Sequence, residues 1–187
     1  RRALDSGTTV VRILEMVQSV RPRIKAGLLI FGYANPIYRY GYEKFCRDAA
    51  AAGVDGVLIP DLTPEEAGPL LEPARACDLD VIFLVAPTST QERIRLIGAC
   101  STGFVYAVSL TGVTGARTQL PDDLGVFVRR VRKLLPEDKP VVVGFGVSNG
   151  ALARQVGEMC DGAVVGSAIM KIVEAEGLDM RYYNVLY

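Results

Sequence analysis

The sequence predicts an α/β fold built on a parallel sheet, and three observations carry that expectation. Short apolar runs rich in β-branched residues alternate with amphipathic stretches along all 187 residues. The runs are apolar throughout instead of alternating with polar residues, as in strands covered on both faces. Clusters of Gly, Pro, Asn and Asp separate the two kinds of segment. Half of the residues are hydrophobic, which suits a single domain over residues 1–187 with a sizeable core.

In chain order, Thr8 or Thr9 is placed to cap a helix whose apolar stripe is Val10, Ile13, Leu14 and Val17, ended by Pro22. Ile24–Tyr33 reads as a buried strand, and Asn35-Pro36 turns the chain. Tyr40–Ala52 reads as a helix closed by Gly53, the usual residue beyond a helix end. Val54–Pro60 is a strand with Asp61 at its carboxyl end. Thr63-Pro64-Glu65-Glu66 has the form of a helix start, with a cap, a proline and first-turn acids, for a helix to about Cys77.

Leu79–Ala86 is the next strand, and Thr88-Ser89-Thr90 opens a helix through Ala99. Gly103–Leu110 is a strand, Thr111–Leu120 a loop rich in Gly and Thr, and Pro121-Asp122-Asp123 a further helix start. That helix points Leu124, Phe127, Val128, Val131 and Leu135 inward. Val141–Val143 is a strand broken by Gly144-Phe145-Gly146, with Ser148 or Asn149 capping the helix behind it. Gly162–Val165 is the last strand and runs through Gly166-Ser167 into another helix. Six strands result, and the chain opens on a helix. Either an open doubly wound sheet or a closed barrel two strands short fits, since a full (β/α)8 barrel takes about 250 residues.

Lys+Arg and Asp+Glu both number 21, so no charge excess marks a nucleic-acid or membrane surface. No apolar run approaches the length of a membrane span, residues 1–20 lack a leader pattern, and a cytoplasmic protein is expected. Cys46, Cys77, Cys100 and Cys160 are far apart, form no CxxC pair, and are expected near helix ends as packed thiols; no metal site is expected. There is no histidine, which removes imidazole triads and ligands and leaves proton transfer to carboxylates, Lys, Tyr or Cys.

In both architectures a ligand binds beyond the carboxyl ends of the strands. Residues expected there are Tyr33, Asn35, Leu58, Asp61, Pro87, Tyr106, Ser109, the 111–120 loop, Gly144–Gly146 and Gly166-Ser167. The two glycine turns expose backbone N–H groups in front of helix starts, so they either make tight turns or cradle an anion. Asp61 either caps the following helix or orients a partner, and Tyr106 shares a strand face with Phe104 and Val108. Lys171 lies in a helix, poorly placed for a Schiff base. The set suits a phosphate joined to an aromatic body and is thin in acids and bases.

Five segments in this order, YANPIYRYGYEKF, DGVLIPDLTPEEA, YAVSLTGVTGART, VGFGVSN and VVGSAIMKIVE, resemble the tryptophan synthase alpha subunit over nearly all of residues 4–174. The resemblance implies a (β/α)8 TIM barrel of which this chain supplies about strands 3–8. It implies cleavage of indole-3-glycerol phosphate to indole and glyceraldehyde 3-phosphate in an αββα complex. Indole would pass to a beta subunit carrying pyridoxal phosphate, with no cofactor in this chain. By position, Gly115, Gly146, Gly166 and Ser167 match the substrate-phosphate site, and Tyr106 matches a tyrosine beside the glycerol phosphate. Leu58, Phe145 and Tyr33 match the indole pocket. Thr114 matches the mobile-loop threonine, and Asn35 and Asp61 match loops facing the beta subunit. Leu110 is a departure, standing where better-known relatives often carry a different residue such as arginine. The family's catalytic glutamate and aspartate fall before Arg1, so no residue here is assigned a catalytic role. The first two strands are expected there too. A different phosphate-binding barrel is a weaker fit, because its catalytic lysines and histidines have no counterpart here.

Overall fold

A computed structural model describes residues 7–108, 120–121, 123–144 and 146–175. They group into two compact units. The first runs up to Leu84 and includes Thr90–Val105; the second comprises Val85–Ser89 and the residues from Tyr106 onward.

The first unit opens with α1 (Val10–Val20), capped by the Thr9 hydroxyl, which accepts the Arg12 N–H at 3.3 Å. Its buried residues are Leu14 and Val17, and a single 3-10 turn, Arg21–Arg23, follows. Then come β1 (Leu29–Phe31), α2 (Ala34–Tyr40), α3 (Tyr42–Ala52) and β2 (Gly56–Leu58). Next are α4 (Gly68–Ala76), β3 (Asp80–Val85) and α5 (Gln91–Cys100), the last capped by Thr90. β1, β2 and β3 pair in parallel, with Phe31 beside Leu58 and Leu58 beside Ile82. α3 buries Phe45, Cys46, Ala49 and Ala52, one face at helical spacing, and Gly53 ends it at φ 87°. A side chain at Gly53 would also press on Arg21, 2.6 Å from its Cγ, so the cap position requires glycine twice over.

In the second unit β4 (Val105–Val108) is followed by α6 (Leu124–Leu134), whose inward face is Leu124, Phe127, Val128 and Val131. β5 (Val141–Gly144), α7 (Gly150–Gly157), β6 (Gly162–Val164) and α8 (Ser167–Ala175) complete it. β5 and β6 are parallel, pairing Val142 with Gly162 and Gly144 with Val164. Val141 and Val143 are fully covered, while Val142 and Gly144 on the other face are half-buried.

Four expectations are corrected. The strand expected over Ile24–Tyr33 is only Leu29–Phe31, because its ladder is as short as that of β2; it is not buried, with Leu29 44%, Phe31 65% and Tyr33 68% exposed. Asn35-Pro36 is no turn but the first turn of α2, where a missing proline N–H costs nothing, and Gly41 at φ 91° splits the expected Tyr40–Ala52 helix from it. Thr63–Glu66 forms an isolated turn, with the Thr63 hydroxyl donating to Glu66 Oε2 at 3.0 Å. The helix starts at Gly68, with Pro69 in its first turn, where a missing N–H costs nothing, and Pro73 inside it. Cys46 lies in the middle of α3, fully buried, and its thiol is pushed up to about 11 by that burial.

One arrangement recurs at the amino ends of the strands. Asp55 donates its N–H to the Leu28 carbonyl at 2.9 Å, and its carboxylate accepts the Leu28 N–H at 2.6 Å. Thr102 makes the same exchange with Val81, at 3.1 and 2.9 Å, and Asp161 with Val141, at 3.0 and 2.8 Å. Each latch residue stands directly before a glycine, Gly56, Gly103 or Gly162. A side chain at Gly56 would come 2.9 Å from the Asp80 carbonyl and one at Gly103 2.8 Å from Asp80 Oδ2.

Asp161 also pairs with Arg132 at 2.7 Å, and the Val141 N–H, then Arg132, hold its carboxyl below the usual range. A depressed folded-state pKa gives stability that is complete above the unfolded value of about 3.9 and is lost as pH falls through the folded value. Asp161→Ala is expected to cost about 1 kcal/mol at neutral pH, the ion-pair part being screened by solvent. Urea midpoints of the two proteins should converge on acidification below that range; an unchanged gap would remove the carboxylate from the account.

Candidate functional site

The register of β5 and β6 places the two glycine turns side by side. Gly144 pairs with Val164, so Gly146 and Gly166 each stand two residues beyond one ladder rung. Gly146 has φ 32°, a conformation that favours glycine. Gly166 is exposed, and a side chain there would meet nothing within 4 Å.

The helices behind the turns differ. α7 is capped by its own Asn149, whose side-chain oxygen accepts the Leu152 N–H at 3.0 Å. Of the two expected caps, Asn149 is the one used. α8 begins at Ser167 directly after Gly166, with no acid in its first turn. Its positive end can attract an anion.

Tyr106 reaches across Gly144. A side chain at Gly144 would lie 2.7 Å from Tyr106 Cε1 and closer still to Cζ and Oη. The absent side chain of Gly144 is thus the space that the tyrosine ring fills. Tyr106 is half-buried, and burial pushes its phenol above the ordinary value. On the preceding loop, Arg130 of α6 donates to the Pro87 carbonyl at 2.6 Å, and the Ser89 hydroxyl accepts the Ala86 N–H at 3.1 Å. Gly115, Thr114, Phe145, Ser109 and Leu110 lie outside the described residues, as does the 178–187 tail.

The first unit holds the remaining candidates. Leu58 is 4% exposed, on the β2 face that continues from Phe31 to Ile82. Tyr33 is exposed just beyond β1. Asp61 caps a helix, though not the one that follows it: its Oδ1 accepts the Ala34 N–H at 2.9 Å, tying the loop after β2 to the start of α2. Asn35, exposed, is the next residue of that helix, so the structure brings Asp61 and Asn35 to one place. The same loop is held on its other side by an ion pair between Glu65 and Arg93 of α5. The sequence reading missed this pair and the Arg130–Pro87 bond, since partners 28 and 43 residues apart leave no local signal.

Among the described residues no group of His, Cys, Asp or Glu is placed to hold a metal ion, and no helix is long and apolar enough to cross a membrane. All four cysteines are free.

Residues 1–184 match the family described as "Tryptophan synthase alpha chain". The chain belongs to the tryptophan synthase alpha chain family. A tryptophan synthase alpha chain from Pelobacter propionicus is 50% identical over 173 residues, which are 92% of this chain and 64% of that protein. One from Geobacter sulfurreducens is 50% identical over 173 residues, 92% of this chain and 65% of the relative. The chain thus spans just under two thirds of the length of these curated relatives. Among solved structures, it resembles a chain of the tryptophan synthase a2b2 complex of Pyrococcus furiosus at 38% identity and TM-score 0.84, over 94% of this chain and 71% of that one. It is also similar to a chain of tryptophan synthase from Mycobacterium tuberculosis, at 43% identity and TM-score 0.85, over 94% and 66%. The fold is accordingly that of the (β/α)8 barrel, and the six strands among the described residues are part of that set.

Proposed function

We propose that this chain is the phosphate-anchoring and partner-facing part of an indole-3-glycerol-phosphate lyase of tryptophan biosynthesis, acting in the cytoplasm as the alpha subunit of an α2β2 tryptophan synthase. The observation that carries the reading is the β5–β6 register, which sets Gly146 and Gly166 side by side before the start of α8. Gly146, Gly166 and Ser167, with Gly115, would hold the substrate phosphate. Tyr106 would flank the glycerol chain, and Leu58, Tyr33 and Phe145 would line the indole pocket. Thr114 would support loop closure, and Asp61 and Asn35 would face the beta subunit. Pyridoxal phosphate belongs to that partner, and this chain needs no cofactor.

In the reaction a base takes a proton from a glycerol hydroxyl, an acid protonates indole C3, and the C–C bond between them breaks in a retro-aldol sense. Anchoring the remote phosphate lets binding energy position the reacting carbons. The acid and base of the family have no counterpart in these 187 residues. That favours a second reading for the isolated chain, a module that binds phosphate and partner without turnover.

Calorimetric titration with glycerol 3-phosphate and with an indole-bearing alkyl phosphate tests the anchoring role. Both should bind, the second more tightly, and failure of both would refute the phosphate site. An assay for indole release from indole-3-glycerol phosphate should give no turnover with the chain alone. Turnover would show that its proton-transfer groups are present after all and overturn the second reading.

A further inference from the structure

We propose that Asn149-Gly150, at the start of α7, is a site of spontaneous covalent modification. The Asn149 amide closes on the Gly150 nitrogen, loses ammonia, and is reopened by water as a carboxylate. The modification needs no ligand, and only its effect on phosphate esters rests on the function proposed above.

The pair is the only Asn-Gly in the 187 residues. Ring closure is easiest before glycine, because no side chain shields the attacking nitrogen. A Cβ added at Gly150 would meet nothing within 4 Å, so the ring has room to form. Gly150 is the first residue of α7, and N–H groups in the first turn of a helix have no carbonyl partner within it. The helix ladder therefore does not hold the nitrogen back.

Water is the only co-reactant. The Gly150 nitrogen gives up its proton and bonds Asn149 Cγ, the Cγ–Nδ2 bond breaks, and ammonia leaves. Water then opens the cyclic imide at either of its carbonyls. Opening at Cγ breaks the new bond and gives aspartate. Opening at the main-chain carbonyl breaks the original peptide bond and gives isoaspartate, with the chain running through Cγ.

The native cap sets the pace. Asn149 is extended, with φ −155° and ψ 168°. Its Oδ1 accepts the Leu152 N–H at 3.0 Å, and its carbonyl accepts the Ala153 N–H at 3.1 Å. While Oδ1 is committed to Leu152, the side chain is not free to turn onto the Gly150 nitrogen, so closure waits for the first turn to open. A cap bond of ordinary strength favours the closed turn by only about five- to tenfold, which leaves a standing reactive minority.

The products differ in their consequences. Aspartate caps α7 at least as well as asparagine, since a carboxylate suits a helix amino end. Its charge, three residues from Gly146, opposes the anion proposed to lie on that turn. Isoaspartate lengthens the main chain and withdraws the cap.

The test incubates the chain in mildly alkaline buffer and follows its peptides by mass spectrometry, with aspartate and isoaspartate resolved. Over days the Asn149 peptide should gain the mass difference between an amide and an acid, as a mixture of both products. Asn35 and Asn184 should stay unchanged, because Pro36 has no N–H to attack with and Val185 is branched. Gly150→Ala should slow the gain by an order of magnitude or more, and it should fold, since the position is open and helical. Asn149→Asp, the finished product, should keep or raise the thermal midpoint and bind glycerol 3-phosphate severalfold more weakly than the unmodified chain. The site is overturned if the Asn149 peptide gains no mass, or gains it as fast in Gly150→Ala. Unchanged affinity in Asn149→Asp overturns the charge effect. Failure of the unmodified chain to bind glycerol 3-phosphate would refute the phosphate site instead, while the mass gain would still establish the modification.

Discussion

Gly144→Ala should destabilise the protein and weaken phosphate-ester binding in one step. Its backbone lies in an ordinary strand conformation, so alanine is not disfavoured there by φ. The cost comes from Tyr106, whose ring carbon Cε1 would be 2.7 Å from the new methyl, with the hydroxyl nearer still. The ring must leave its place. Forced repacking of this kind costs about 1–3 kcal/mol. The displaced phenol would also vacate the position proposed beside the glycerol chain. Tyr106→Ala should be tolerated better with Gly144→Ala than with glycine retained, since each then fills or frees the other's space. Additive losses in unfolding free energy across the four proteins would show that the two residues do not share one volume.

Gly166→Asp should separate stability from ligand binding, and its effect on binding should be the largest of any single change in this chain. The site has open space for a side chain, and an aspartate directly before α8 is a favourable helix cap. Thermal stability should therefore hold or rise by a few tenths of a kcal/mol. The same carboxylate would occupy the N–H groups offered to a phosphate and repel its charge. Affinity for glycerol 3-phosphate should fall by at least about 100-fold, the scale of a lost charge-assisted cradle with added repulsion. Gly166→Asp with unaltered affinity would move the anion elsewhere, and a matching loss of stability would make the glycine a purely structural requirement.

Helices with a wide apolar stripe were legible from the sequence. The spacing of Leu124, Phe127, Val128 and Val131 in α6 is a local property of the chain, and the structure buries those four residues. The reach and burial of β1 were not, because a run such as IKAGLLIFGY states how hydrophobic a segment is but not how many neighbours cover it. The start of α4 was misread for a related reason. Thr63 and Glu66 satisfy each other within one turn, and the helix begins only at Gly68. At the candidate site, the glycine turns and Asp61 were found from residue type alone. The direction in which Asp61 bonds, back to Ala34, depends on the pairing of β1 with β2 and has no trace in its own neighbourhood. Gly144 looked like the first residue of a turn, and its part in seating Tyr106 is visible only once two strands lie together.

The latches at Leu28–Asp55, Val81–Thr102 and Val141–Asp161 stand at the amino ends of the strands, whereas Asp61, Gly146 and Gly166 stand beyond the carboxyl ends. Each latch fastens the start of a strand to the segment leading into the next, without help from any residue proposed to touch substrate or partner. The two ends of a strand thus carry separate tasks. Loops on one end can drift, lengthen or exchange while the fastening on the other keeps the strand pair in register, and a substitution that ruins binding need not be one that unfolds the chain.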